Sequence, residues 1–121
     1  MKIFTTSLFA KLVDKEGVSE ADLMEAVDRA ERGQIDGPIG KFLIKQRIAR
    51  PGQGRAHGFR SILAYRAGDF AVFLYLFPKS ARANLTVHER TAYQDYAETL
   101  TRHTDADFAR LVAERGWRQI A

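Results

Sequence analysis

The sequence predicts an α+β fold in which N-terminal helices pack on a small, mainly antiparallel sheet, with an additional helix near the C-terminus. Three observations support that class. Apolar residues recur at helical spacing in the first third of the chain, alternate with a period of two through the middle, and return to helical spacing towards the end. Strands grouped between helical segments, and not interleaved with them, segregate helices from sheet along the chain.

Lys2 to Thr5 can form a short strand. Ser7 then offers a helix cap, and Leu8, Phe9, Leu12 and Val13 form one stripe that ends near Gly17. A second helix starts at Ser19, with Asp22 in its first turn. Leu23, Ala26, Val27 and Ala30 share its apolar face and Gly33 terminates it. From Phe42 the period is two. Phe42, Ile44, Gln46 and Ile48 alternate with Leu43, Lys45, Arg47 and Ala49, so one face is core-facing and the other presents cations. A Pro/Gly-rich turn at 50–54 stops this strand. A strand from Phe59 to Arg66 turns at 67–69 and returns over 70–77 as an antiparallel hairpin. The returning strand is almost wholly apolar, which predicts a central position covered on both faces, and Pro78 ends it. Leu85 to His103 reads as a third helix and Asp105 to Glu114 as a shorter fourth. The tail at 117–121 either adds an edge strand or docks elsewhere, and the pattern does not choose between these.

A chain of 121 residues is long enough to bury a core as one domain, here read as 1–121 with 104–121 as a C-terminal extension. Cysteine is absent, which excludes disulfides, thiol catalysis, thiolate zinc sites and iron–sulfur clusters. No apolar run reaches the length needed to cross a bilayer, and the first residues lack a long apolar core with a cleavage site. The expectation is a cytoplasmic protein without a membrane partner. Its formal charge is +4, unevenly spread: residues 40–82 hold nine Lys or Arg against Asp69 alone, a net +8, and the remainder carries −4. Such a field steers a polyanion towards one surface.

Lys45 and Arg47 lie two positions apart on one strand and so share a face, as do Arg60 and Arg66 on the next. Single cations are ordinary on a solvated sheet, but this set has almost no local acid to pair with. Arg60 stands out because it is flanked by aromatic and aliphatic residues, where a guanidinium needs an anion, a hydrogen-bond network or solvent. Lys45, Arg47, Arg50, Arg55, Arg60, Arg66, Lys79 and Arg82 are therefore the expected RNA-binding set. If the protein cuts RNA, Arg47, Arg60 and Arg82 are candidates for phosphate stabilisation, and Lys45, Lys79, His57 and His88 for proton transfer or substrate orientation. Motifs for a metal, a nucleotide cofactor or a hydrolase nucleophile are absent, so no cofactor is expected.

The stretches IKQRIARPGQGR at 44–55, GFRSILAYR at 58–66 and FPKSARAN at 77–84, in this order, resemble the RelE/ParE superfamily of type II toxins, most closely its RelE-like or HigB-like branch. The resemblance covers residues 1–103. It implies a RelE-like fold with a concave basic sheet, a cognate antitoxin as partner, and ribosome-dependent cleavage of mRNA without a metal. By motif position it implies roles for Arg60, for Lys45 and Arg47 on the preceding strand, and for Lys79 and Arg82 after the central strand. Leu85 stands where a tyrosine is expected, so His88 or Tyr93 would have to substitute. ParE-like relatives share the fold but inhibit DNA gyrase, and a noncatalytic nucleic-acid or protein-binding module is a further alternative.

Overall fold

The computed structural model describes the backbone of residues 1–50 and 54–121 and the side chains of residues 1–49 and 58–121. The turn expected at 50–54 and the side chains of Arg50, Arg55 and His57 lie outside the described residues. The elements run β1 (Lys2–Thr5), α1 (Ser7–Glu16), α2 (Glu20–Glu31), β2 (Gly37–Gly40), β3 (Leu43–Arg50), β4 (Gly54–Arg66), β5 (Phe70–Pro78), α3 (Val87–Leu100), α4 (Asp105–Arg115) and β6 (Arg118–Gln119). This is an α+β, RelE-like arrangement. The strands form one sheet in the order β2-β3-β4-β5-β1-β6, antiparallel throughout except where β1 runs parallel to β5.

Local chemistry sets the element ends. Thr6, one residue before the expected Ser7, caps α1 by accepting from the Phe9 N–H, and Gly17 closes the helix at φ 71°, a left-handed conformation that glycine adopts without a Cβ clash. Ser19 and Asp22 form a reciprocal capping box on α2. Thr86 with Glu89 and Thr104 with Asp107 repeat that device on α3 and α4, so α3 begins two residues later than the apolar pattern suggests. The tail resolves as an edge strand: β6 pairs with β1, and Ile120 N–H donates to the Ile3 carbonyl at 2.8 Å.

Each face of the sheet has its own helical layer. On one, Phe9, Val13, Leu23 and Val27 of α1 and α2 pack against Ile44, Ile48, Phe59, Leu63 and Phe73. On the other, Ala97, Leu100, Phe108 and Trp117 from the C-terminal segment cover Phe4, Phe70 and Val72. β5 is central and covered on both sides, as expected. A bulge lies between β4 and β5: Ile62 pairs with Tyr75 and Leu63 with Phe73, which leaves Leu74 as the extra residue. Leu74 and Tyr75 consequently both belong to the α3/α4 side.

Phe42 departs from the expected alternation. It precedes β3, packs with the α3/α4-side cluster, and does not share the face of Ile44 and Ile48. β2 was not expected, since GPIG carries no apolar alternation; it pairs with β3 around a register shift. At Gly40 the backbone runs so close to α3 that a Cβ would lie 2.7 Å from the Gln94 side chain.

Candidate active site

α3 and α4 cover only part of their face. Where β3 and β4 extend beyond that cover, four side chains occupy adjacent positions of two ladder rungs: Lys45 opposite Ile62, and Arg47 opposite Arg60. Three of the four are cations. On the far side of Arg60 stands Phe77.

Arg60 is the unusual member. It is 7% exposed, and its Nη1 is buried without a hydrogen-bond partner. Burial lowers its pKa from the ordinary arginine value, the Arg47 charge lowers it further, and Asp36 partly opposes both. A buried guanidinium held beside two like charges, with a donor unused, is arranged to receive an anion. Lys45 is pushed down for related reasons, burial first and then repulsion from Arg60 and Arg47. Its Nζ donates to Asn84 Oδ1 at 2.8 Å, which fixes the ammonium at the edge of the row.

Arg47 is exposed, but its backbone is held tightly. β2 pairs with β3 only as far as Lys45, so among the described residues no strand pairs with β3 on that side from Gln46 onward. Two α2-side groups take over the role. Asp36 accepts from the Arg47 N–H at 2.8 Å, and the buried Arg29 guanidinium donates to the Arg47 carbonyl, to Asp36 at 2.6 Å and to Glu25 at 2.7 Å. Gln46, itself fully buried, accepts from the Asp36 N–H and donates to the Ala26 carbonyl. Burial disfavours the Asp36 carboxylate, but hydrogen bonds from Arg29 and from the Arg47 backbone outweigh it, and its pKa lies below the usual range.

The other expected site residues divide. Arg82 lies near the row, its guanidinium 5.5 Å from the Phe77 ring centre, but it is engaged by both carboxylate oxygens of Glu89. That hydrogen bonding, with the Thr86 backbone N–H, depresses the Glu89 pKa to about 2. Lys79 is exposed in the turn after β5. Arg66 sits six residues from Arg60 at the far end of β4, about 20 Å along the strand. There its guanidinium is 3.8 Å from Asp69, so it does not join the cluster. His88 is exposed in the first turn of α3. Tyr93 instead faces the sheet, its ring 6.4 Å from Tyr75, and burial raises its pKa.

The sequence reading missed Tyr75, Asn84, Asp36 and Arg29. Asp36 and Arg29 bear on Arg47 from the helix side of the sheet, and no local pattern announces a partner eleven or eighteen residues away. Tyr75 reaches the cation face only through the bulge at Leu74.

The family model described as the RelE toxin of the RelE/RelB toxin–antitoxin system matches residues 1–120. No curated protein gives a significant match. Since the match takes in every strand of the sheet and both helical layers, the chain belongs to the RelE toxin family, within the RelE/ParE superfamily of type II toxins.

Proposed function

We propose that this toxin is a metal-independent, ribosome-dependent mRNA endonuclease that acts in the cytoplasm as one domain spanning 1–121. Membership of the family implies a cognate antitoxin, which we place as its inhibitor. The observation that carries the reading is Arg60: a buried guanidinium with an unused donor, in a row with Lys45 and Arg47. Cleavage of RNA places growing negative charge on the phosphate as the 2′-oxygen attacks phosphorus and the 5′-oxygen leaves. Preorganised cations stabilise that charge.

In this scheme Arg60 and Arg47 grip the non-bridging oxygens of the scissile phosphate. Lys45, with its pKa lowered by burial and by its two arginine neighbours, has a larger neutral fraction than a free lysine and takes the 2′-OH proton. The 5′-oxygen takes a proton from water as it leaves, so that a 2′,3′-cyclic phosphate and a 5′-hydroxyl are the products. Arg82, tied to Glu89, contributes long-range charge and no direct grip on the scissile phosphate.

The test maps mRNA 5′ ends in a translating extract, with the wild-type protein beside Arg60→Ala. New ends that depend on translation and vanish with the folded variant support the endonuclease. Unchanged cutting by Arg60→Ala removes Arg60 from the site, and no cutting by intact wild-type protein redirects the search to DNA gyrase, with supercoiling as the readout.

A further inference from the structure

The loop between β5 and α3 is tied along its length. The Arg82 N–H donates to the Pro78 carbonyl at 3.4 Å. Its guanidinium is held by both carboxylate oxygens of Glu89, and the Thr86 N–H, 2.9 Å away, fixes Glu89 in the first turn of α3. Arg82 Nε also donates to the Asn84 carbonyl at 3.2 Å. These contacts hold the Asn84 backbone although its side chain is exposed, and the side-chain oxygen is turned to Lys45 Nζ, 2.8 Å away. On another flank of Lys45 lies Gly37 of β2, where a Cβ would come within 3.0 Å of Lys45 Cε. The lysine stem is therefore confined between a strand position without a side chain and a loop that presents an acceptor.

We propose that Asn84 is a positioning residue that holds the Lys45 amine with its lone pair turned towards Arg47 and Arg60. The proposal rests on the reading of Lys45 as the base for the 2′-OH. A neutral lysine amine has two N–H bonds and one lone pair, so it donates and accepts at once. Among the described residues, Asn84 Oδ1 is the one acceptor that Nζ reaches. Donating one N–H to it stops rotation about the Cε–Nζ bond and leaves two positions, one for the second N–H and one for the lone pair. The neighbouring charges settle which is which. Arg60 on β4 and Arg47 on β3 repel Lys45, so the N–H turns away from them and the lone pair faces them. Of the other elements around Lys45, β2 carries no titratable side chain, α3 brings Arg90 to the same recess, and Arg82 and Glu89 engage each other.

A phosphate gripped by Arg47 and Arg60 brings its 2′-OH to that side of Nζ. The O–H bond breaks, a third N–H forms on Lys45, and the 2′-oxygen bonds phosphorus as the 5′-oxygen leaves. Holding the lone pair in place before the substrate arrives removes a rotational search from the barrier. The same Asn84 oxygen binds the ammonium more strongly than the amine, so it also sets where Lys45 loses its proton.

The experiment measures single-turnover mRNA cleavage on programmed ribosomes across pH for the wild type, Asn84→Leu and Asn84→Asp, and titrates the Lys45 Hε and Cε signals of each whole protein by NMR. Asn84→Leu removes the acceptor. It should move the rising limb of the rate to lower pH and reduce the plateau roughly tenfold, with the half-saturating concentration unchanged. Asn84→Asp keeps an acceptor and adds a negative charge. It should restore the plateau and move the limb up by about one pH unit. Wild-type limbs and plateaus in both variants, or one Lys45 titration shared by all three proteins, would overturn the proposal. A limb that moves in Asn84→Leu over an unchanged plateau would overturn it as well, leaving Asn84 an electrostatic neighbour that orients nothing. Lys45 titrations that move in the two expected directions, in a protein whose intact wild type cuts no mRNA, would support the contact and remove the endonuclease.

Discussion

At Arg60 function and stability pull in opposite directions. Taking a guanidinium out of water beside two cations costs free energy that one unused Nη1 does not recover. Arg60→Met should therefore hold or raise stability by about 1 kcal/mol in a urea melt while cleavage is lost. A variant that loses activity by unfolding would assign Arg60 a structural role. Lys45 gives a second prediction, in pH. Its folded pKa lies below 10.5, so between the two values the unfolded chain binds more protons than the native one, and stability rises with pH across that window. If Lys45 is the base, the rate climbs with pH through the same lowered pKa. Arg47→Gln removes one of the repulsive charges and should move that rising limb to higher pH, which a pH–rate profile reads directly. Lys45, Arg47 and Arg60 were legible as candidates because strand alternation is local. The engagement of Arg82 by Glu89 was not, because a charge pair across a loop leaves no periodic trace.

At the scale of elements, the run of β3 beyond β2 relies on side chains where a strand would otherwise pair. Arg29 and Asp36 take up the Arg47 carbonyl and N–H, and Arg29 is 3% exposed. Arg29→Met leaves Asp36 without its ion pair and should cost about 3 kcal/mol by denaturant unfolding. The paired carboxylate stabilises the fold above pH 3.8 and ceases to do so as pH falls through its lowered folded pKa. The stability difference between variant and wild type should accordingly be fully present above pH 3.8 and narrow as pH falls below it. The helices and the β4–β5 hairpin were legible because each carries its own period and its own stop signal. β2 was hidden because a strand of two glycines, a proline and one isoleucine lacks alternation. The edge pairing of β6 was left open because two residues are too few to show a period.

Across the whole molecule, charge is sorted by region and the sheet is sorted by face. One face is wholly given to packing α1 and α2; the other divides between the α3/α4 core and the cation row. With Arg47 and Arg60 on the scissile phosphate, the logarithm of the RNA binding constant should fall with the logarithm of salt concentration. Arg47→Gln should make that slope shallower, measured by fluorescence anisotropy. An unchanged slope would place Arg47 outside the RNA path. The basic face was legible from the +8 of residues 40–82, but its limits were not, since Arg66 has the same parity as Arg60 and lies at the wrong end of the strand.

The parallel pairing of β1 with β5 has a consequence for synthesis. Lys2 to Thr5 find their partners only at Phe70 to Phe73, so the N-terminal strand waits for most of the sheet to be translated. Until then α1 and α2 emerge with Phe9, Val13, Leu23 and Val27 uncovered, while β4 and β5 can join as a local hairpin as soon as both exist. The nascent chain thus assembles its centre before its beginning is secured.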